Sequence, residues 1–266
     1  MALKGGVRSN CLAVLLVLLP LLGCREKPKR VVRTEPWPAP ALAVSGATAG
    51  ESPKSVRYTL EHAVVELELP AKRSKPRGKL SRVEGTIDLD LAHLERSRAR
   101  LTADLQSLSL GSGGEEDAAL LARAFDWLEL GPERSSGDRA RDRYVILNIT
   151  SLEPPPIQAD EGNKQRRAAR VMAHGDLTLH HFRVPVALEL DVELWPADGG
   201  SADSLVIRTH RPLVVSLAAH DILPRDARGT LIPSQLSLLG SEVGRDARVT
   251  AELRARVAPA PSPSNP

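Results

Sequence analysis

The sequence predicts an all-β protein, an antiparallel β-barrel of about eight strands with one inserted amphipathic helix. Three observations predict it. Apolar and polar residues alternate with period two through most of the chain after Val56, the pattern of strands with one face on a core and one in water. A single stretch, between Gly114 and Gly131, has helical spacing instead. The crossover helices that parallel strands require are missing, so the strands connect as hairpins and close on themselves.

The elements follow in chain order. Strands are expected at about 56–69 and 83–90. In the next, Ala99, Leu101, Ala103 and Leu105 share one face against Arg98, Arg100, Thr102, Asp104 and Gln106. The helix follows, with Leu121, Phe125 and Leu128 on one side, Glu115, Glu116 and Asp117 in the first turn where the helix dipole favours negative charge, and Gly131-Pro132 as the stop. Further strands are expected at 143–153 and 168–180. Val184, Val186, Leu188, Leu190, Val192 and Leu194 then alternate with Pro185, Ala187, Glu189, Asp191 and Glu193. A strand region at 204–218 precedes the last alternation, Ala247, Val249, Ala251, Leu253, Ala255 and Val257. No internal repeat is visible.

Ahead of the barrel lies a different kind of chain. Lys4 and Arg8 precede an apolar run from Cys11 to Leu22 broken only by Pro20. The run is short of the roughly 20 residues that cross a bilayer and has the layout of a secretory signal. The quartet Leu21-Leu22-Gly23-Cys24 resembles the lipobox of bacterial lipoproteins, which implies loss of residues 1–23 and a lipid anchor on Cys24. An ordinary signal peptide would instead leave Cys24 as a lone thiol in an oxidising compartment. Residues 24–55, rich in Pro, Ala, Gly and charge, read as a tether with a typical reach of ~30 Å. The barrel domain is expected over 56–257. The tail 258–266, with Pro259, Pro261, Pro263 and Pro266, reads as disordered.

The formal net charge of +3 overstates the basicity of the folded part. Lys4 and Arg8 leave with the signal, and Arg25, Lys27, Lys29, Arg30 and Arg33 crowd the start of the tether against Glu26 and Glu35. A nucleic-acid partner calls for a basic folded face with aromatics for stacking, and aromatics are 3% of the chain. That class of partner is set aside.

Three stretches carry a family resemblance. Val83-Glu84-Gly85-Thr86-Ile87-Asp88-Leu89-Asp90 is followed by Leu94-Glu95-Arg96-Ser97 and by Leu101-Thr102-Ala103-Asp104-Leu105. Ala173-His174-Gly175-Asp176-Leu177-Thr178-Leu179 is followed by Arg183-Val184-Pro185-Val186, and a third region spans Val214 to Gly229. In order and spacing they resemble the YceI-like family. The resemblance implies a lipocalin-like barrel whose interior holds a long isoprenoid chain, exported to the periplasm or envelope and without catalytic residues. His180-His181-Phe182 stands where the family's turn usually bears glycine, and the helix around Ala118 to Leu130 replaces a segment that often carries an arginine–aspartate pair.

With that implication, Leu101, Leu105, Leu177, Leu179, Val186 and Leu188 are the candidate ligand contacts inside the barrel. A barrel of about eight strands either fills with side chains or leaves room for one slender ligand. A solid barrel that binds an envelope partner is the alternative the pattern leaves open. Lys72, Arg73, Lys75 and Arg77, with Lys79 and Arg82, form a basic loop that would meet a lipid phosphate or an anionic membrane if it lay at the barrel mouth. Otherwise it is a solvated loop that protects a strand edge.

No cofactor is expected. His174, His180 and His181 suggest a metal, but adjacent strand residues point to opposite faces, so His180 and His181 can share one ion only if they occupy a turn; no cysteine joins them and no helical His-x-x-x-His is present, so no metal site is assigned. No catalytic template fits either: there is no Gly-x-Ser-x-Gly elbow, and the glycines from Gly111 to Gly114 lack the lysine and helix of a phosphate-binding loop. The expectation is a non-enzymatic lipoprotein at the periplasmic face of the outer membrane, whose partners are the membrane, through Cys24, and a hydrophobic small molecule.

Overall fold

A computed structural model describes residues 55–111, 114–153, 167–195 and 204–258. The signal segment, Cys24, the tether except Ser55 and the tail beyond Ala258 lie outside the described residues.

Eight antiparallel strands close into a barrel. They are β1 (Val56–Glu68), β3 (Val83–Leu89), β4 (Arg98–Asp104), β6 (Tyr144–Glu153), β7 (Arg167–Leu179), β8 (Phe182–Trp195), β9 (Ser204–Thr209) and β11 (Asp246–Val257), in that order around the wall. Pairing of β1 with β11, through partners such as Val65 with Ala251 and Leu67 with Val249, completes the circle. Three short strands extend it. β2 (Arg77–Leu80) and β5 (Leu108–Leu110) continue the sheet beside the second half of β1, and β10 (Leu213–Ser216) takes up the first half of β11 where β9 has ended. Closure removes the free edges of an open sheet, a solution to edge-to-edge aggregation.

The alternation of the sequence becomes the inside and outside of this wall. Ala99, Leu101 and Ala103 on β4, Leu188, Leu190 and Val192 on β8, and Ala247, Val249, Ala251 and Leu253 on β11 all face the interior. Strands β7 and β8 form a long hairpin whose close approach to β6 depends on Gly175. A Cβ there would sit 2.0 Å from the carbonyl oxygen of Asn148. The bulge in β6 between Ile149 and Ser151 lies at the same place.

Several elements depart from the expected ones. The region 204–218 is two strands, because His210-Arg211-Pro212 interrupts it and proline offers no N–H to a ladder. The basic stretch after Pro70 is loop only to Pro76. Arg77 and Lys79 sit on β2, opposite Glu68 and Glu66, at 3.6 and 2.9 Å. Leu105 opens a single 3-10 turn after β4.

The helix is present as α1 (Glu115–Trp127), with its acidic first turn, but it ends before Gly131. Leu128 caps it, Glu129 is left-handed (φ 57°), and the Leu130 and Glu129 N–H groups donate to the Phe125 and Asp126 carbonyls at 2.8 and 3.1 Å. That is a Schellman motif with glutamate where glycine is usual. A second short helix, α2 (Ser136–Asp142), follows, its first turn capped by the Ser135 hydroxyl accepting from Asp138 N–H at 3.1 Å. It lacks a hydrophobic stripe, which is why periodicity does not reveal it. Among the described residues no helix is long and apolar enough to cross a membrane.

One ion pair ties the cap to the wall. Arg143 donates to both Asp104 oxygens, at 2.9 and 2.6 Å, and Arg82 adds a contact at 3.6 Å. The hydrogen bonds from Arg143 hold the Asp104 carboxyl below the usual carboxylate range. Because the folded form has the lower pKa, the stabilisation is present above about pH 4 and lost as pH falls through the folded value. Asp104→Ala is expected to cost about 1–3 kcal/mol at pH 7. The gap from the wild type should shrink toward pH 3, as urea unfolding at both pH values would reveal.

Candidate functional site

Inside the barrel is a cavity of about 300 Å³ with almost wholly apolar walls. Leu, Val, Ile and Ala dominate the lining, and the few polar residues are Ser97, Arg98, Arg123 and Thr209. The positions Ala247 to Leu253 along β11 span six residue steps, so the void follows a strand for about 20 Å. Small inward residues leave it open: Ala99, Ala103, Ala247 and Ala251 contribute a methyl where a larger side chain would fill the middle.

Each end is closed differently. At the far end Tyr58, Ile87, Leu89, Leu194, Leu205 and Ala255 pack into a plug, with Tyr58 and Leu205 each 1% exposed. At the other, α1 lies across the barrel and turns Leu120, Ala124, Trp127 and Leu128 inward, with Trp127 3% exposed. Of the stripe read from helical spacing, Leu128 lines the cavity, while Leu121 and Phe125 are half-buried against the surrounding core and Trp127 is the most buried residue of the helix.

Of the residues singled out beforehand, Leu101, Leu105, Leu177, Leu179 and Leu188 line the cavity. Val186 packs into the surrounding core instead of lining the void. Lys72, Arg73 and Lys75 are exposed on the β1–β2 turn. The backbone N–H groups of Lys72 and Arg73 donate to the Gly240 and Ser241 carbonyls at 3.3 and 2.9 Å, and the Ser74 hydroxyl donates to the Glu242 carbonyl. Glu242 in turn approaches Arg123 of α1 at 3.9 Å. The basic turn therefore stands at the end of the barrel that α1 covers. Alternation places the inward alanines on their strand faces; Trp127 and Leu205 carry no such local mark, because each becomes a wall residue only when the barrel closes.

No family model and no curated protein matches the chain. Among solved structures it is similar to a polyisoprenoid-binding domain from Saccharophagus degradans, at 16% identity and a TM-score of 0.48 over 76% of this chain and 99% of that one. It is similar to Burkholderia cenocepacia BcnA, at 14% identity and 0.44, over 72% and 95%. It is also similar to the Campylobacter jejuni YCEI protein, at 13% and 0.42, over 68% and 85%. These likenesses concern shape.

A second, polar pocket lies at the α1 end, lined by Glu129, Arg141, His180, His181, Phe182, Asp221 and Arg225. The two histidines occupy a turn, the one placement in which adjacent residues can face the same ion. They are the two central residues of the β7–β8 turn, at φ 50° and 67°, the geometry of a type I′ turn. His180 is buried, and its Nδ1–H donates to the His220 carbonyl at 3.0 Å. The His220 Nδ1–H donates to the Leu179 and Phe182 carbonyls, at 3.2 Å each. Burial pushes both imidazoles below the ordinary histidine value.

Proposed function

We propose that the chain is an exported, lipid-anchored envelope protein of the YceI-like family whose barrel holds a hydrophobic ligand, an isoprenoid lipid, and performs no catalysis. The observation that carries this reading is the apolar cavity of about 300 Å³, at the lower end of the usual range for ligand sites. Each CH₂-sized unit of ligand moved from water into such walls contributes about 0.8 kcal/mol. A branched hydrocarbon chain needs no polar partner there, and the lining offers few. The alternative, a solid barrel that binds an envelope partner, leaves the void without a purpose.

Placement of the basic turn supports the same reading. Lys72, Arg73 and Lys75 stand beside the α1 end, where the headgroup of a lipid seated in the barrel, or an anionic membrane surface, would find cationic side chains. Arg77 is less suited, since it faces Glu68. The anchor on Cys24 and the location at the periplasmic face of the outer membrane belong to this proposal on the strength of the lipobox-like quartet, with the tether keeping the barrel within tens of ångströms of the bilayer.

The test is a thermal-shift titration of delipidated protein with a long-chain polyprenol in detergent. A ligand at 100 times its dissociation constant adds about 2.7 kcal/mol. In a domain of this size that raises the midpoint by roughly 5–10 °C. An unchanged midpoint at saturating polyprenol would sink the reading.

A further inference from the structure

Glu129, His180, His181 and Asp221 are the four non-glycine residues with left-handed backbone among those described, and all four line the polar pocket. Such conformations cost of order 1–3 kcal/mol each and cluster where side chains must be aimed. Aspartate tolerates this region, but glutamate at a Schellman C′ position and a His-His pair in a type I′ turn replace the glycine and asparagine those positions favour. The side chains they aim converge. Oxygens of Glu129 and Asp142 and a ring nitrogen of His180 lie within 4.8 Å of one another. His180 Nε2 is 3.8 Å from Glu129 Oε1, and His181 Nε2 lies against Asp142 Oδ1.

Two further features point to a cation. The Asp142 side chain is fully buried, and its Oδ1 meets His181 Nε2, which is itself the acceptor of the Arg141 Nε–H hydrogen bond, so two lone pairs face each other, a costly arrangement with no cation or proton between them. His180 Nδ1 is committed as a donor to the His220 carbonyl, which leaves the Nε2 lone pair facing the carboxylates. That is the backbone-carbonyl support typical of a metal-ligating histidine. Four donors at about 2.0–2.1 Å from a tetrahedral ion stand about 3.4 Å apart, so closing round an ion from within 4.8 Å needs side-chain shifts of up to about 1.4 Å. The surrounding charges are mixed. Arg134 and Arg225 reach Glu129 at 2.5 and 3.3 Å, Arg225 also reaches Asp221 at 2.7 Å, and Arg141 Nε donates to His181 Nε2 at 3.0 Å. Arg141 also reaches Asp138 and Asp142. Four carboxylates face three guanidinium groups, and an anion would meet Glu129, Asp142 and Asp221 at once.

We propose that Glu129, Asp142, His180 and His181 form a site for one divalent transition-metal ion of zinc-like ligand preference, with His181 exchanging its bond from Arg141 for the ion. The ligands come from the end of α1, the end of α2 and the β7–β8 turn. The ion is therefore a clasp that fastens the cap to the barrel beside Leu128 and Leu179, which line the cavity. The proposal stands apart from the lipid reading, because metal uptake can be measured with no lipid present.

The test is titration of the chelator-treated full chain, made without a histidine tag, with Zn²⁺ by calorimetry and with Co²⁺ by visible absorption. One equivalent is expected to bind, with the intense absorption of tetrahedral Co²⁺ and a rise in the thermal midpoint. His180→Gln and Asp142→Asn should abolish both signals. Should either fail to fold, the isosteric Glu129→Gln should retain the barrel's circular dichroism and weaken binding at least tenfold. His174→Gln, on the outer side of β7, and Cys24→Ser should bind as the wild type does. Absence of Zn²⁺ uptake by the wild type at micromolar concentration, or unchanged affinity in Glu129→Gln, overturns the proposal.

Discussion

Ala103→Phe combined with Ala251→Phe is expected to abolish ligand uptake while leaving the barrel as stable as before or more so. Both alanines line the cavity, on strands with a full complement of paired neighbours. Two benzyl groups placed there occupy the space of a hydrocarbon chain and bury new apolar surface in a void. Filling a cavity commonly contributes about 0.5–2 kcal/mol. A chain expelled from even four CH₂-sized positions loses about 3 kcal/mol, on the order of 100-fold in affinity. The polyprenol-induced thermal shift should vanish in the double variant while its unliganded midpoint holds or rises. A preserved shift would place the ligand outside the barrel.

The second large effect belongs to the cap. Trp127 is 3% exposed, packs among Leu105, Leu108, Leu128 and Leu179, and its indole N–H has no hydrogen-bond partner. Its contribution is therefore packing. Trp127→Ala should cost about 3–5 kcal/mol. At 2–4 °C per kcal/mol for a domain of this size, the midpoint falls by about 10 °C. Since α1 closes one end of the cavity, loss of its anchor should also speed release of a fluorescent fatty probe in stopped-flow exchange. A midpoint within 2 °C of the wild type would mean that α1 is not seated as described.

The fold was legible because a barrel writes itself into each strand separately. Ala99 to Leu105, Val184 to Leu194 and Ala247 to Val257 each show period two, and nearly all of each set lines the cavity or packs in the core beside it. Strands β2 and β5 were hidden because they are short, and because β2 carries Arg77 and Lys79 on its outer face, which reads as a charged loop. Helix α2 has no apolar stripe to detect.

The site divides in the same way. Leu101 and Leu188 sit on alternating faces and became ligand contacts through the family resemblance, as did Leu177, whereas Val186 obeys the same alternation and still packs into the wall, because strand period sets the face and not the depth. The polar pocket was beyond reach for a different reason. Glu129, Asp142 and His180 are separated in sequence and meet only through the ends of two helices and a turn. The one local clue was a His-His pair where a hairpin prefers asparagine and glycine, and its meaning depended on a turn geometry that spacing does not give.

The account rests on the barrel being a container. Native mass spectrometry of the protein purified in mild detergent from its own host tests that directly. The expected spectrum has a species heavier than the polypeptide by one isoprenoid lipid, released on activation and absent from the Ala103→Phe, Ala251→Phe variant. A wild-type spectrum showing only the anchored polypeptide, with no adduct under conditions that preserve other lipid complexes, would contradict it.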